Sequence, residues 1–365
     1  MHIVIDARIR RSSTGRYVDR LIEHLQEVGG ENRYTVLLQP DDPWKPTTNN
    51  FSTVPCPYAQ FSFSIFQQIR FTRQLKQLKP DLVHFTMTQQ PLFYFGNIVT
   101  TTHDLTMLRF VRAGSTPLPI FWVKRLLYKF LFWWSHKKSM RIIVPTEYVA
   151  KDLTRLQPFT KDKITVTYEA SEPPLNVKAQ KPAKISQPFI LYVGSAFPHK
   201  NLQNLIKAFE ILKTSLGELN LVLAGKKEQY YLELENSVAG SPARSSMHFP
   251  GFVTDEELKW LYENAAAYVF PSLSEGFGLP GLEAMAHGCP VVSSNATCLP
   301  EVYKDAAVYF DPTDPSDMAS KIESVLTDKE MASLLVKEGK MVLSQYSWRK
   351  MATETVEVYK TVLKI

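Results

Sequence analysis

Cysteine is scarce in this chain. Cys56, Cys289 and Cys298 are the only three in 365 residues, and no two form a C-x-x-C pair. An odd, scattered set argues against a disulfide framework and against a cysteine-built zinc site, and it fits a reducing compartment. Long apolar runs are also missing. A greasy stretch such as Phe130-Leu131-Phe132-Trp133-Trp134 falls far short of the roughly 20 residues needed to span a bilayer. Met1 leads straight into His2-Ile3-Val4-Ile5-Asp6 with no charged, then apolar, segment ahead of it. No signal peptide is therefore expected, and the reading is a cytoplasmic protein. No G-x-G-x-x-G follows the leading strand of either half, which argues against a Rossmann dehydrogenase. Low-complexity tracts and short-period repeats are absent too.

What is present is an ordinary globular balance, 44% apolar and 21% charged residues, in a length that suits two domains of similar size. The net charge of +6 is uneven. Residues 1–180 hold 24 Lys/Arg against 14 Asp/Glu, and residues 181–365 hold 18 against 22. A basic first half calls for an acidic partner, such as an anionic membrane surface, a lipid diphosphate or a nucleic acid, unless it is a plain solvated face. No recognisable nucleic-acid module accompanies it, so no nucleic-acid partner is expected.

Short apolar runs alternate with amphipathic stretches. In the first half His2–Asp6, Tyr34–Leu38, Leu82–Phe85, Ile98–Thr102, Arg141–Pro145 and Ile164–Tyr168 read as strands, with helices over Arg16–Val28 and Ile65–Leu78. Such punctuation implies a parallel sheet covered on both faces. Glu172 to Pro188 contains Pro173, Pro174, Pro182 and Pro188 and reads as an interdomain linker. The alternation then restarts, from strand Phe189–Val193 and helix Leu202–Thr214 to helix Leu279–His287 and strand Pro290–Ser293. The expected class is α/β: two doubly wound domains, residues 1–178 and 179–345, with a final helical segment over 346–365. Ligands of such sheets lie at the carboxyl ends of strands, so a cleft between the domains is the expected site.

The most informative run is Pro271-Ser272-Leu273-Ser274-Glu275-Gly276-Phe277-Gly278-Leu279-Pro280-Gly281-Leu282-Glu283-Ala284-Met285-Ala286. A strand ends at Phe270, and a glycine-rich turn opens a helix whose N–H groups and dipole suit phosphate. Glu275 in the turn and Glu283 one helical turn in are acceptors for sugar hydroxyls. The bland alternative is a glycine loop with two surface glutamates. A second run, Tyr192-Val193-Gly194-Ser195-Ala196-Phe197-Pro198-His199-Lys200-Asn201, begins another helix. Lys200 there can neutralise a departing diphosphate, or simply be solvated. His103, in Thr101-Thr102-His103-Asp104-Leu105, follows a first-domain strand. Gly15, in Ser13-Thr14-Gly15-Arg16-Tyr17, follows the first strand, where Ser and Thr suit an N-cap and Gly15 admits backbone to a ligand. Arg8, Arg10, Arg11 and Arg16 surround it as attractors for an anionic acceptor.

The Glu275–Glu283 run resembles the E-x7-E signature of retaining glycosyltransferases with the GT-B fold, most closely glycosyltransferase family 4. Gly288-Cys289-Pro290-Val291-Val292-Ser293 and Leu299-Pro300-Glu301 resemble the family as well, and so does the order of elements along nearly the whole chain. The resemblance implies two Rossmann-like domains facing across a cleft, with the C-terminal helix crossing back to the first. It places Glu275 by the donor sugar, Glu283 on the ribose, His103 in the active site, and Gly276, Phe277, Gly278, Leu279, Gly194, Lys200 and Gly15 around the donor. Backbone at Phe252 and Val253 then reads the nucleotide base. The family usually carries Arg before Lys; here His199 precedes Lys200, and Ser13 replaces a usual glycine. No D-x-D triplet occurs, which agrees with transfer that needs no metal and no cofactor. The implied donor is a nucleotide sugar, GDP-mannose first and a UDP-sugar next. The implied acceptor is a glycan or a lipid-linked sugar. A nucleotide-sugar epimerase and a degenerate binding protein are the rival readings.

Residues 117–141 contain Lys124, Arg125, Lys129, Lys137, Lys138 and Arg141 and no acidic residue, with Trp122, Phe130, Trp133 and Trp134 interleaved. Two readings stand side by side. One is a helix lying in an anionic bilayer interface, making the protein peripheral on the inner face of the membrane. The other is a core helix with a basic outer face.

Overall fold

A computed structural model describes residues 1–12, 14–59, 64–110, 117–172 and 175–364. Ser13, Pro173 and Pro174 of the motifs above lie outside the described residues. The chain forms two compact units, Met1–Glu169 with Ser347–Ile365, and Ala170–Tyr346.

In the first unit the order is β1 (His2–Asp6), α1 (Gly15–Val28), β2 (Arg33–Leu38), β3 (Phe51–Pro55), α2 (Ile65–Leu78), β4 (Leu82–Phe85), β5 (Ile98–Thr101), a single turn α3 (Thr106–Arg109), α4 (Leu118–Lys138), β6 (Arg141–Val144), α5 (Glu147–Leu156) and β7 (Ile164–Val166). The sheet order is β3-β2-β1-β4-β5-β6-β7, with every neighbouring pair parallel. Ile3, Val4 and Ile5 are all fully buried, as an unbroken apolar strand requires when both faces are covered. On α1 the buried residues Tyr17, Val18, Leu21, Ile22 and Leu25 share one helical face. Thr146 caps α5, its Oγ1 accepting the Val149 N–H at 3.2 Å. Thr14 sits at the cap position of α1 but makes no such bond, so that expected cap is not formed by its side chain.

The second unit runs β8 (Phe189–Val193), α6 (Leu202–Ser215), β9 (Asn220–Ala224), α7 (Gln229–Ser237), β10 (Met247–Gly251), α8 (Asp255–Asn264), β11 (Ala267–Phe270), α9 (Leu279–Ala286), β12 (Val291–Ser294), α10 (Leu299–Tyr303), β13 (Ala307–Phe310), α11 (Pro315–Thr327) and α12 (Lys329–Leu343). Its parallel sheet has the order β10-β9-β8-β11-β12-β13. The order reverses between β8 and β11, which makes the carboxyl ends of these two strands the topological switch point. The last helix, α13 (Trp348–Leu363), belongs to the first unit. Its Tyr359 hydroxyl meets His84 Nδ1 on β4 at 2.7 Å.

Three differences from the sequence reading have physical causes. The first unit ends at Glu169 rather than at 178. Leu175 is held by the second unit: its N–H donates to His287 Nε2 at 3.2 Å and its carbonyl accepts from Lys259 Nζ at 2.9 Å. Strand β3 was not anticipated because Phe51-Ser52-Thr53-Val54-Pro55 buries only Phe51 fully, as suits an edge strand. Helix α4 buries only Phe132, Ser135 and His136. Phe132 joins the core beside Ile142 and Val144, but the outer face is not simply basic: apolar side chains stand among its lysines, with Trp122 58% exposed and Leu126 71% exposed.

Candidate active site

The second unit carries its candidate site residues at the switch point. After β8 the chain makes a single 3-10 turn over Pro198–Lys200, and α6 starts only at Leu202. Lys200 is thus the last residue of a turn before the helix rather than an exposed residue of its first turn. After β11 the chain passes Pro271–Phe277 and enters α9 through Gly278. These two loops meet. Lys200 Nζ donates to Glu275 Oε1 at 2.6 Å, with the two side chains 16% and 13% exposed. The ammonium also lies 5.6 Å from the centroid of the Phe270 ring. Lys200 is therefore a half-sheltered charge held in one position by a carboxylate and an aromatic face. Its loop is pinned from both sides: Leu273 N–H donates to His199 O at 2.7 Å, and Asn201 Nδ2 donates to Pro271 O at 3.0 Å.

The glycines of this loop have separate reasons. Gly278 has φ +99, a left-handed conformation that disfavours a side chain. A Cβ there would also meet Tyr303 Oη at 2.6 Å. At Gly281 a Cβ would meet the same oxygen at 2.3 Å. The start of α9 thus rests directly on the buried Tyr303 ring, whose hydroxyl donates to Gly278 O. Glu283 is the fifth residue of α9, half-buried, and its Oε2 accepts from Tyr262 Oη at 3.3 Å. Gly276, Phe277 and Leu279 lie between these two glutamates on the same turn.

Nearby, three strands end in glycine or beside it. Gly194 N–H donates to Ala224 O, and Gly225 N–H donates to Gly251 O, both at 2.9 Å. A Cβ on Gly225 would lie 2.0 Å from Gly194 O, so the ends of β8 and β9 touch through backbone alone. Phe252, immediately after β10, is 73% exposed, and Val253 is half-buried.

The first unit places His103 two residues beyond β5. Its Nε2 lies 3.0 Å from Thr86 O, and its Nδ1 lies 3.4 Å from Glu169 Oε1. A carbonyl only accepts, so Nε2 is the donor. Nδ1 then faces the Glu169 carboxylate. The Tyr17 ring packs edge-on against the imidazole at 4.8 Å. Behind it runs a buried polar chain: Tyr17 Oη to Thr101 Oγ1 at 3.1 Å, Thr101 Oγ1 to His84 Nε2 at 2.8 Å, and His84 Nδ1 to Tyr359 Oη. Burial pushes the His84 imidazole down to about 3. The end of β5, from which His103 hangs, is therefore tied to α1, β4 and α13. Glu169 was not foreseen. The signal for it was its place three residues past β7, at the carboxyl end of a strand.

Several first-unit expectations are corrected. Arg8 is buried, not an anion attractor. Its Nε and Nη2 donate to the two Asp6 oxygens at 2.7 and 2.6 Å, and its Nη1 donates to Tyr58 O. Arg10 pairs with Asp19 and Asp42. Arg11 pairs with Asp41 on the surface at 3.0 Å. The sequence reading weighed the arginines without these aspartates. Arg16 is half-buried on α1. Gly15 is required by its own loop: a Cβ there would press the Ile9–Arg10 backbone at 3.0 Å.

These two sheets and their carboxyl-end loops match known proteins. The family described as Glycosyl transferases group 1 matches residues 176–342, and the one described as Glycosyltransferase Family 4 matches residues 14–170. The chain belongs to glycosyltransferase family 4. It is 32% identical over 228 residues to the O-antigen chain mannosyltransferase B of Escherichia coli, a match covering 60% of each protein. It is 26% identical over 333 residues to the O-antigen chain mannosyltransferase RfbU of Salmonella typhimurium, covering 88% of this chain and 90% of that one. Among solved structures, sucrose-phosphate synthase from Thermosynechococcus elongatus aligns with a TM-score of 0.78 at 18% identity, over 100% of this chain and 99% of that one. Anabaena HepE in complex with UDP-glucose aligns with a TM-score of 0.73 at 16% identity, over the whole of both chains. The structural matches support the GT-B fold, two Rossmann-like units, for this family 4 chain.

Proposed function

We infer that this family 4 chain transfers a hexose, mannose in the first instance, from a nucleoside-diphosphate sugar to a sugar acceptor with retention at the anomeric carbon. The observation that carries this reading is the Lys200–Glu275 pair at the switch point of the second unit, next to the glycine turn that opens α9. A phosphate at that turn meets helix N–H groups and one fixed cation. The ammonium has three donors, so it keeps a bond to Glu275 while neutralising a departing diphosphate. Glu275 orients the sugar, Glu283 accepts from the ribose hydroxyls, and the backbone at Phe252 and Val253 borders the base. His103 and Glu169, in the first unit, serve the acceptor. No step needs a metal ion. The diphosphate leaves as the acceptor hydroxyl attacks from the same side, which retains the configuration. Mannose is favoured because the two O-antigen relatives are mannosyltransferases, and a UDP-sugar is the next candidate because HepE was solved with UDP-glucose. The acceptor is a glycan or a lipid-linked sugar.

Thermal unfolding with GDP, GDP-mannose, UDP and UDP-glucose, each with and without EDTA, tests the donor. Binding to the folded chain alone adds about 2.7 kcal/mol at a hundredfold excess over Kd. The expected result is a shift with a guanosine ligand that survives EDTA and disappears in Lys200→Ala and Glu283→Ala. No shift with any nucleotide contradicts the reading. Donor consumption without an acceptor, giving an epimerised sugar, points instead to an epimerase.

A further inference from the structure

Residues 43–146, all in the first unit, contain 13 Lys/Arg and only two acidic residues, Asp81 and Asp104. Among the described residues, the same stretch carries most of the exposed large apolar side chains. On α4, Trp122, Val123, Leu126, Phe130 and Trp133 are all exposed. At 3.6 residues per turn they fall within an arc of about 100°. Lys124, Lys129 and Lys137 are exposed on the same helix. The N-terminal turns of α2 present Ile65, Phe66 and Ile69, with Phe66 61% exposed, before that helix reaches its core contacts at Phe71 and Leu75.

These two helices are joined into one surface by the segment between β4 and β5. Leu92 N–H donates to Gln68 Oε1 of α2 at 3.0 Å. Leu92 O in turn accepts from Trp134 Nε1 of α4 at 3.1 Å. Lys138 Nζ donates to Pro91 O at 2.5 Å and to Tyr94 O at 3.3 Å. Phe95, 69% exposed, meets the Trp134 ring edge-on at 6.2 Å. Phe93 is exposed beside it.

A contiguous exposed apolar face marks a contact surface. Its chemistry selects the occupant. A second copy of the chain would set one strongly basic surface against another, which like-charge repulsion opposes. An anionic bilayer supplies both an apolar phase for the side chains and negative headgroups for the flanking lysines, and tryptophan favours that boundary. Among the described residues no helix is long and apolar enough to cross a membrane, so the mode is interfacial. We propose that α2, the Pro91–Phe95 segment and α4 form one platform on which the first unit docks to an anionic lipid bilayer. The platform is wider than the single basic helix visible in the sequence, and it includes α2, which lies more than fifty residues before the end of α4 in the chain. It stands whether or not the chain transfers a sugar, because the binding is read without turnover.

The test uses the full chain and sedimentation with vesicles of phosphatidylcholine alone or of equal parts phosphatidylcholine and phosphatidylglycerol. The expected result is binding to the mixed vesicles at least about tenfold tighter than to the neutral ones, since each nearby lysine adds on the order of a factor of five. Phe66→Ser with Ile69→Ser on α2, and separately Trp122→Ser with Leu126→Ser on α4, each weaken it about tenfold or more. Lys124→Gln with Lys129→Gln weakens binding to the mixed vesicles only. All four replaced apolar side chains are exposed, so the folded fraction by circular dichroism and the nucleotide-induced thermal shift stay unchanged. Equal binding to both vesicle types, no binding, loss in the α4 variant but not in the α2 variant, or a dimer in solution that the α4 variant dissociates would each overturn the proposal.

Discussion

Lys200 Nζ and Glu275 Oε1 are 2.6 Å apart although 75 residues separate them in the chain. They are brought together because β8 and β11 are sheet neighbours whose following loops leave at the same end. The pair is formed in the chain by itself, so the ammonium is positioned before a diphosphate arrives. Pre-positioned charge requires no reorganisation when the leaving group departs.

Removing Lys200 should lower turnover much more than it lowers stability. We expect Lys200→Ala to reduce kcat by about 10²–10³ and to cost about 1–3 kcal/mol of stability, because it strands a half-sheltered carboxylate. The double variant Lys200→Ala with Glu275→Ala should be less destabilised than the sum of the two single changes. Steady-state kinetics and urea unfolding of the three variants check both statements.

Glu169 positions the His103 ring through its contact with Nδ1 at 3.4 Å. Glu169→Gln removes a charge-assisted bond of about 1.5–3 kcal/mol, so kcat should fall by about tenfold to a hundredfold with KM little changed. A kcat that is unchanged, or that falls only as far as the folded fraction falls, contradicts this assignment.

The α9 turn depends on the absence of side chains above Tyr303. Gly278→Ala combines a strained left-handed φ with contact against Tyr303, and Gly281→Ala drives a methyl into the same ring. Each change should cost about 1–3 kcal/mol and weaken nucleotide binding with it. Differential scanning calorimetry with and without nucleotide measures both effects.

Acid should destabilise the first unit early. Burial holds His84 down to about 3 and His136 down to about 4, from an ordinary value of 6.5. Above 6.5 both rings are neutral in either state and stability does not change through them. As pH falls below 6.5 the unfolded chain binds protons that the folded chain refuses. Stability then falls by about 1.4 kcal/mol per pH unit for each histidine until the folded value is reached. The pH dependence of the unfolding midpoint should be shallower in His136→Gln than in the parent chain.

Much of this was legible in the residues. The buried strands of a doubly wound sheet are continuous apolar runs, so β1, β4, β8 and β11 were found at their observed bounds. The Glu275–Glu283 turn was legible because a strand, a glycine turn and a helix start follow each other without interruption. Edge strand β3 was not, since a half-exposed strand keeps polar residues. The partners of Arg8, Arg10 and Arg11 were not legible either. Each lies on another loop or at another register position, and charge counting along the chain does not reveal a bidentate Arg8–Asp6 pair. Glu169 was missed for the same reason: its role depends on His103, 66 residues away.

The most direct test of the central claim is the stereochemistry of transfer. Purified chain is incubated with GDP-mannose, or with the donor that the thermal shifts select, and a sugar acceptor, and the new glycosidic linkage is followed by proton NMR. The expected product keeps the anomeric configuration of the donor, forms in EDTA and is lost in Lys200→Ala. An inverted anomer, or transfer that persists unchanged without Lys200, would contradict it.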